Sequence, residues 1–157
     1  MDPFKAAINE MLVTTYRSIG AIEEEMLRDM SSGRLSISEM HMIEVIGRDR
    51  ESGRNVTDIA AELNITMPSV TMAIKKLEKK GYVIKRRCGE DARRVFVSLT
   101  REGLRADTAH RYFHRKMVNA LADKLSTDER NVLLHALREL NAFLNITARE
   151  MGNRRSQ

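Results

Sequence analysis

The sequence predicts a mainly α-helical chain that carries one small β element. Three observations support this. The 157 residues include only two prolines and eight glycines, so little interrupts helix formation. Apolar residues recur at three- and four-residue spacing over most of the length. The exception is a pair of alternating, β-branched runs, Tyr82 to Arg86 and Val95 to Leu99, on either side of the polar stretch 87–94, which is the pattern of a β-hairpin.

Six helices are expected. Ile8, Leu12, Ile19, Ile22, Met26 and Met30 predict a long first helix from Phe4 to Met30, ending near Ser31-Ser32-Gly33. Ser36-Ile37-Ser38-Glu39 is a capping box, in which serine and glutamate side chains satisfy each other's backbone N–H; it opens a second helix through Met40, Ile43 and Ile46. Residues 48–55 read as a polar loop. Thr57 is expected to cap a short third helix, Asp58 to Leu63, closed by Asn64 in a left-handed conformation. Pro68 suits the first turn of a fourth helix, 67–80, which stops at Gly81. Thr100 caps a fifth, 101–124, and Ser126-Thr127-Asp128-Glu129 opens a sixth that reaches about Arg149. Leu133, Leu137, Leu140 and Leu144 form one stripe on the sixth, and Val132, Leu134, Ala136 and Phe143 widen it to an arc of about 200°, more than a helix needs to face its own core. A second copy of the chain is the expected cover, giving an intertwined homodimer.

Charge distribution points to a partner. The chain carries a net +5 with a pI near 9.6, yet residues 66–101 hold ten Lys/Arg against three acids, +7, which leaves the remainder at −2. A basic block on a slightly acidic body is the footprint of a nucleic-acid-binding element. On the fourth helix, Val70, Ala73, Ile74 and Leu77 share one face while Pro68, Met72, Lys75, Lys76 and Lys79 lie opposite. Such a face is often plain solvated surface. Here, however, the third and fourth helices are joined by a short turn and followed at once by a hairpin with a basic tip. That is a winged helix-turn-helix, with residues 67–80 as recognition helix in the major groove and wing arginines suited to the minor groove. The expected organisation is an N-terminal dimerisation helix (1–34), the DNA-binding region (35–100) and C-terminal dimerisation helices (101–157).

Other classes are excluded. No apolar run approaches the roughly 18 residues of a membrane span, and the N-terminus lacks the apolar core of a secretory signal. The single cysteine, Cys88, cannot form an intramolecular disulfide and suits a reducing cytoplasm; it reads as an incidental thiol. With no phosphate-cradling glycine loop, nucleophile motif or paired acids, the chain is not expected to be an enzyme or to require a cofactor. His110 and His114, four apart, leave the same face of the fifth helix and could share a metal with His41 and the carboxylates Glu23 and Glu24. A polar network at a helix junction is the alternative.

The motifs Ser69-Val70-Thr71, Leu77-Glu78-x-x-Gly81-Tyr82-Val83, Arg86, Asp91-x-Arg93 and Val97-Ser98-Leu99-Thr100-x-x-Gly103 resemble those of the MarR family of bacterial transcriptional regulators, and the resemblance covers most of the chain. It implies a homodimeric repressor on a pseudo-palindromic operator in double-stranded DNA. By position, it implies that Arg93 enters the minor groove, that Asp91 holds it, and that Arg94 contacts phosphate. Ser69, Thr71, Lys75 and Lys76 would contact bases or phosphates, with Arg86 on the wing. Met72 stands where many relatives have arginine.

Stretches outside that region, Ile22-Glu23-Glu24, Ile37-Ser38-Glu39-Met40-His41 and Phe113-His114-x-x-Met117-Val118, are similar to the branch of the family that represses fatty-acid synthesis genes. This implies control by acyl chains carried on acyl carrier protein. Met26, Met40, Ile43 and Met117 would line an apolar effector channel, and Arg105, Arg111, Arg115 and Lys116 would meet the acidic carrier. The plainer alternative makes the methionines core filler and the basic residues a solvated face. Glu23, His41, His110 and His114 also fall at the ligand offsets of the zinc-responsive branch. That resemblance implies zinc as a ligand and a zinc-responsive regulator as the alternative function.

Overall fold

Each helix start follows from a side chain that can satisfy the free N–H groups of a first turn. The computed structural model describes residues 2–31, 35–87 and 95–154. In chain order these form α1 (Pro3–Ser31), α2 (Ile37–Ile46), β1 (Arg54–Asn55), α3 (Val56–Leu63), α4 (Met67–Lys79), β2 (Val83–Arg87), β3 (Val95–Leu99), α5 (Arg101–Ala122) and α6 (Thr127–Arg154). The strands form an antiparallel sheet in the order β1-β3-β2, with β2 and β3 in register from Val83↔Leu99 to Arg87↔Val95. This is a winged helix-turn-helix with six helices among the described residues. The chain divides into two compact units, Met1–Arg111 and Tyr112–Gln157.

The Ser36 capping box forms as expected: the Glu39 N–H donates to the Ser36 hydroxyl and the Ser36 N–H to the Glu39 carboxylate at 3.0 Å. Asn64 closes α3 at φ 52, ψ 44. Two local expectations are corrected. Asn55 caps α3 in place of Thr57, accepting from the Asp58 N–H at 2.8 Å and donating to its carboxylate at 2.7 Å, so the helix begins two residues early. The polar loop 48–55 ends in strand β1, whose Arg54 pairs with Val97 and Asn55 with Phe96. Two residues carry no alternation for a sequence pattern to detect. Gly53 turns the chain into β1 at φ +74, and a side chain there would collide with Ser98 and the Val97 carbonyl.

In the first unit, Met40, Ile43 and Ile46 of α2, Ile59 of α3, Val70, Ile74 and Leu77 of α4, and Val83 and Val97 of the sheet form one buried core. The helix-turn-helix therefore rests on a solid platform. Lys80, the C-cap of α4, donates to both oxygens of Glu39 at 2.7 Å, tying the end of α4 to the start of α2. Burial pushes the Glu39 carboxyl up, but the Lys80 and Ser36 bonds outweigh it and hold the group below its ordinary 4.5. A carboxylate whose pKa is depressed on folding stabilises the fold fully above 4.5, and that stabilisation is lost as pH falls through the lowered value. Acid titration of thermal stability should therefore show a decline below pH 4.5. Glu39→Gln should remove that part of the decline at a cost of about 1 kcal/mol at neutral pH.

In the second unit, the Ser126 capping box opens α6, with the Ser126 N–H donating to Glu129 at 2.8 Å. Arg130 donates twice to the Ala122 carbonyl at the end of α5. Among the described residues, no helix is long and apolar enough to cross a membrane.

Candidate nucleic-acid interface and helix-junction cluster

Thr66 caps α4 by accepting from the Ser69 N–H, and its hydroxyl lies 2.8 Å from that of Ser69. With Val70, Ile74 and Leu77 fully buried, the opposite face must look outward. Ser69, Thr71, Met72, Lys75, Lys76 and Lys79 are all exposed, so the structure brings the expected recognition residues onto one free surface. No ion pair among the described residues engages Lys75, Lys76 or Lys79. Lys85 is committed elsewhere: its ammonium sits 2.8 Å from Glu78, and that bond holds the Glu78 carboxyl below its ordinary value. Arg86 stands exposed on β2. Cys88, Asp91, Arg93 and Arg94 fall outside the described residues, so the wing tip remains an expectation built on the two strands that lead to it.

A second cluster lies where α1, α2 and α5 meet within the first unit. Glu23, His41 and His110 each present a donor atom, all within 4.8 Å of one another. His110 is 1% exposed and Glu23 5%, while His41 opens to solvent. His110 Nε2 lies 3.3 Å from Glu23 and its Nδ1 3.6 Å from Glu44; the His41 and His110 rings meet edge-on at 5.9 Å. A tetrahedral zinc with bonds of about 2.0–2.1 Å needs donors that close up to little more than 3 Å, so the group fits a metal with modest closure. A second carboxylate behind the histidine is the usual supporting arrangement. His114, the fourth expected ligand, belongs to the second unit, where it packs edge-on to Phe113 at 5.2 Å.

Beside it runs an ion network that the sequence pattern does not single out. Asp107 is fully buried and accepts from Arg50 and from Arg111, each at 2.8 Å. Arg111 also donates to the Glu44 carbonyl at 3.3 Å. Arg111, one of the basic residues expected to face a carrier protein, is partly exposed, and its guanidinium is also tied into the junction. The network joins α5 to the loop that leads into β1. Its only sequence signal is the (i, i+4) spacing of Asp107 and Arg111, which surface pairs share. Asp107→Asn should cost about 1–3 kcal/mol in urea denaturation, since a buried carboxylate loses charge-assisted bonds. The loss should shrink when Arg50→Ala is already present.

Of the expected effector residues, Met40 and Ile43 are fully buried in the core. Met26 is half-buried on α1, and Met117 is half-buried in the second unit. A cavity of about 470 Å³ opens between the end of α1 and the start of α2, lined by Glu24, Leu27, Arg28, Leu35, Ser36, Ile37 and Ser38. Another of about 360 Å³ is lined by Ser38, Glu39, His41, Met42, Leu63, Ile65 and Ala73.

Comparison with known proteins agrees with this geometry. A MarR family model matches residues 35–94. The chain is 34% identical over 90 residues to the HTH-type transcriptional regulator YdgJ of Bacillus subtilis, covering 57% of this chain and 54% of that protein. It is 26% identical over 106 residues to the transcriptional regulator ZitR of Lactococcus lactis, covering 66% of this chain and 71% of that one. The alignments span about half the length of the first curated relatives matched. The crystal structure of Streptococcus pneumoniae FabT in complex with DNA superposes with a TM-score of 0.81 at 33% identity, covering 91% of this chain and 99% of that one. With that identity over nearly the whole length, and with the helix-turn-helix and sheet in place, the chain belongs to the MarR family of winged-helix transcriptional regulators.

Proposed function

We propose that the protein is a homodimeric, sequence-specific repressor that places α4 of each protomer in successive major grooves of a pseudo-palindromic operator, with Arg93 of each wing in the flanking minor groove. Members of the family are DNA-binding regulators and not enzymes. The observation that carries the reading is the outer face of α4: Lys75, Lys76 and Lys79, free of ion pairs among the described residues, around exposed Ser69, Thr71 and Met72. Phosphates attract those ammonium groups, and the helix presents side chains to base edges. Dimerisation through 1–34 and 101–157 is supported by the apolar side chains left exposed there: Phe4, Ile8, Leu12 and Tyr16 on α1, and Val132, Leu137, Phe143 and Leu144 on α6. Selection from a pool of random duplexes should enrich an inverted repeat with half-site centres about 10 base pairs apart. A pool that stays unenriched would end the proposal.

The regulated genes are those of fatty-acid synthesis, and the effector is a long acyl chain delivered on acyl carrier protein. The likeness to FabT and the methionine-rich helices support this reading. The Glu23, His41 and His110 group favours a second one, in which zinc at the junction of α1, α2 and α5 sets the pose of the DNA-binding region. Native mass spectrometry separates the two. A dimer that takes up zinc, and loses it in His110→Ala, supports the zinc reading; a metal-free dimer that binds acyl-loaded acyl carrier protein, and not the unloaded carrier, supports the first.

A further inference from the structure

Met72 occupies an unusual place for a side chain with no hydrogen-bond donor. It is 58% exposed, in the second turn of α4, roughly 165° around the helix from the mean direction of Val70, Ile74 and Leu77. No residue stands nearer the centre of the outer face in the N-terminal half of the helix, the half that meets base edges. Pro68, also exposed, lies one turn before it, so these two side chains form a short apolar strip along the middle of the N-terminal half of a face edged by Lys75 and Lys76. The lysines are placed for phosphates, and the strip is placed for the groove floor.

Base edges in the major groove offer donors and acceptors that a thioether cannot satisfy, and one apolar group, the C5-methyl of thymine. We infer that Met72 is a specificity-determining residue that reads thymine methyl groups in each half-site. The inference rests on the DNA-binding reading above and adds to it the chemical feature that is recognised. A guanine, which an arginine at this position would hold bidentately, is disfavoured because its O6 and N7 would lose water and gain no donor.

Uracil in place of thymine removes only the methyl, so it isolates this interaction. Burying one such group is worth about fourfold in affinity, which in a symmetric operator becomes roughly fifteenfold for the pair. The experiment takes the duplex selected by the protein and replaces each symmetric pair of thymines by uracil in turn, titrating the full-length dimer by fluorescence anisotropy. One or two positions should lose about that factor with the natural chain. With Met72→Ala the thymine and uracil duplexes should bind alike, and both should match the natural chain on the uracil duplex, which also shows that the variant is folded. Indifference to every methyl, or a methyl preference that persists in Met72→Ala, overturns the assignment while leaving DNA binding intact. Failure to retain any duplex overturns both together.

Discussion

Gly103→Ala is expected to destabilise the first unit by about 3 kcal/mol or more, the upper range for forced overpacking. A Cβ on Gly103 would overlap the Tyr82 carbonyl oxygen and crowd Leu99. The oxygen is backbone, so no rotamer change relieves the overlap. The same carbonyl accepts from the Thr100 N–H at 3.0 Å. The Thr100 hydroxyl in turn accepts from the Gly103 N–H at 3.1 Å and donates to the Gly81 carbonyl at 2.6 Å. Moving α5 away from the sheet therefore strains the cap of α5 and the exit from α4 together. Thermal unfolding followed by circular dichroism should shift down by roughly 6–12 °C; a shift within a degree or two would show that α5 does not press on Tyr82 and Leu99 as described.

Arg93→Ala carries the largest expected effect on DNA. If each wing places this guanidinium in a minor groove, its loss from both protomers should cost roughly 1–3 kcal/mol per arginine. Operator affinity would then fall about thirtyfold or more. The variant should still form a dimer and keep the melting temperature of the natural chain, so that the loss is read on DNA binding alone. A gel-shift titration with unaltered affinity would remove the wing from the interface.

The sequence revealed those parts of the fold that repeat or that have local chemistry. Capping serines fixed the starts of α2 and α6, Asn64 closed α3, and the alternation of 82–86 and 95–99 located the two strands of the hairpin, whose register from Val83↔Leu99 to Arg87↔Val95 only the structure supplies. The inward and outward faces of α4 followed from a 100° step alone. Features made by distant residues were less visible. β1 is two residues long and exists because β3 offers it partners. Asn55 and Thr57 compete for one cap, and pairing with Phe96 places Asn55 at the turn where capping is possible. Asp107 reads as an ordinary surface acid until Arg50, 57 positions away, arrives beside it. The helix-junction cluster was legible in part: Glu23, His41 and His110 converge, while His114, one turn further along α5, falls in the second unit.

The central claim, that α4 meets DNA through its free lysines, is tested most directly by the salt dependence of operator binding. Each neutralised phosphate contributes about 0.9 to the slope of log K against log salt. The natural dimer should show a steep linear fall, and Lys75→Ala should reduce the slope by roughly 1.8, because each protomer then neutralises one phosphate fewer. A slope that is shallow from the start, or that stays the same when Lys75 and Lys76 are both removed, would contradict the placement of this helix on the phosphate backbone.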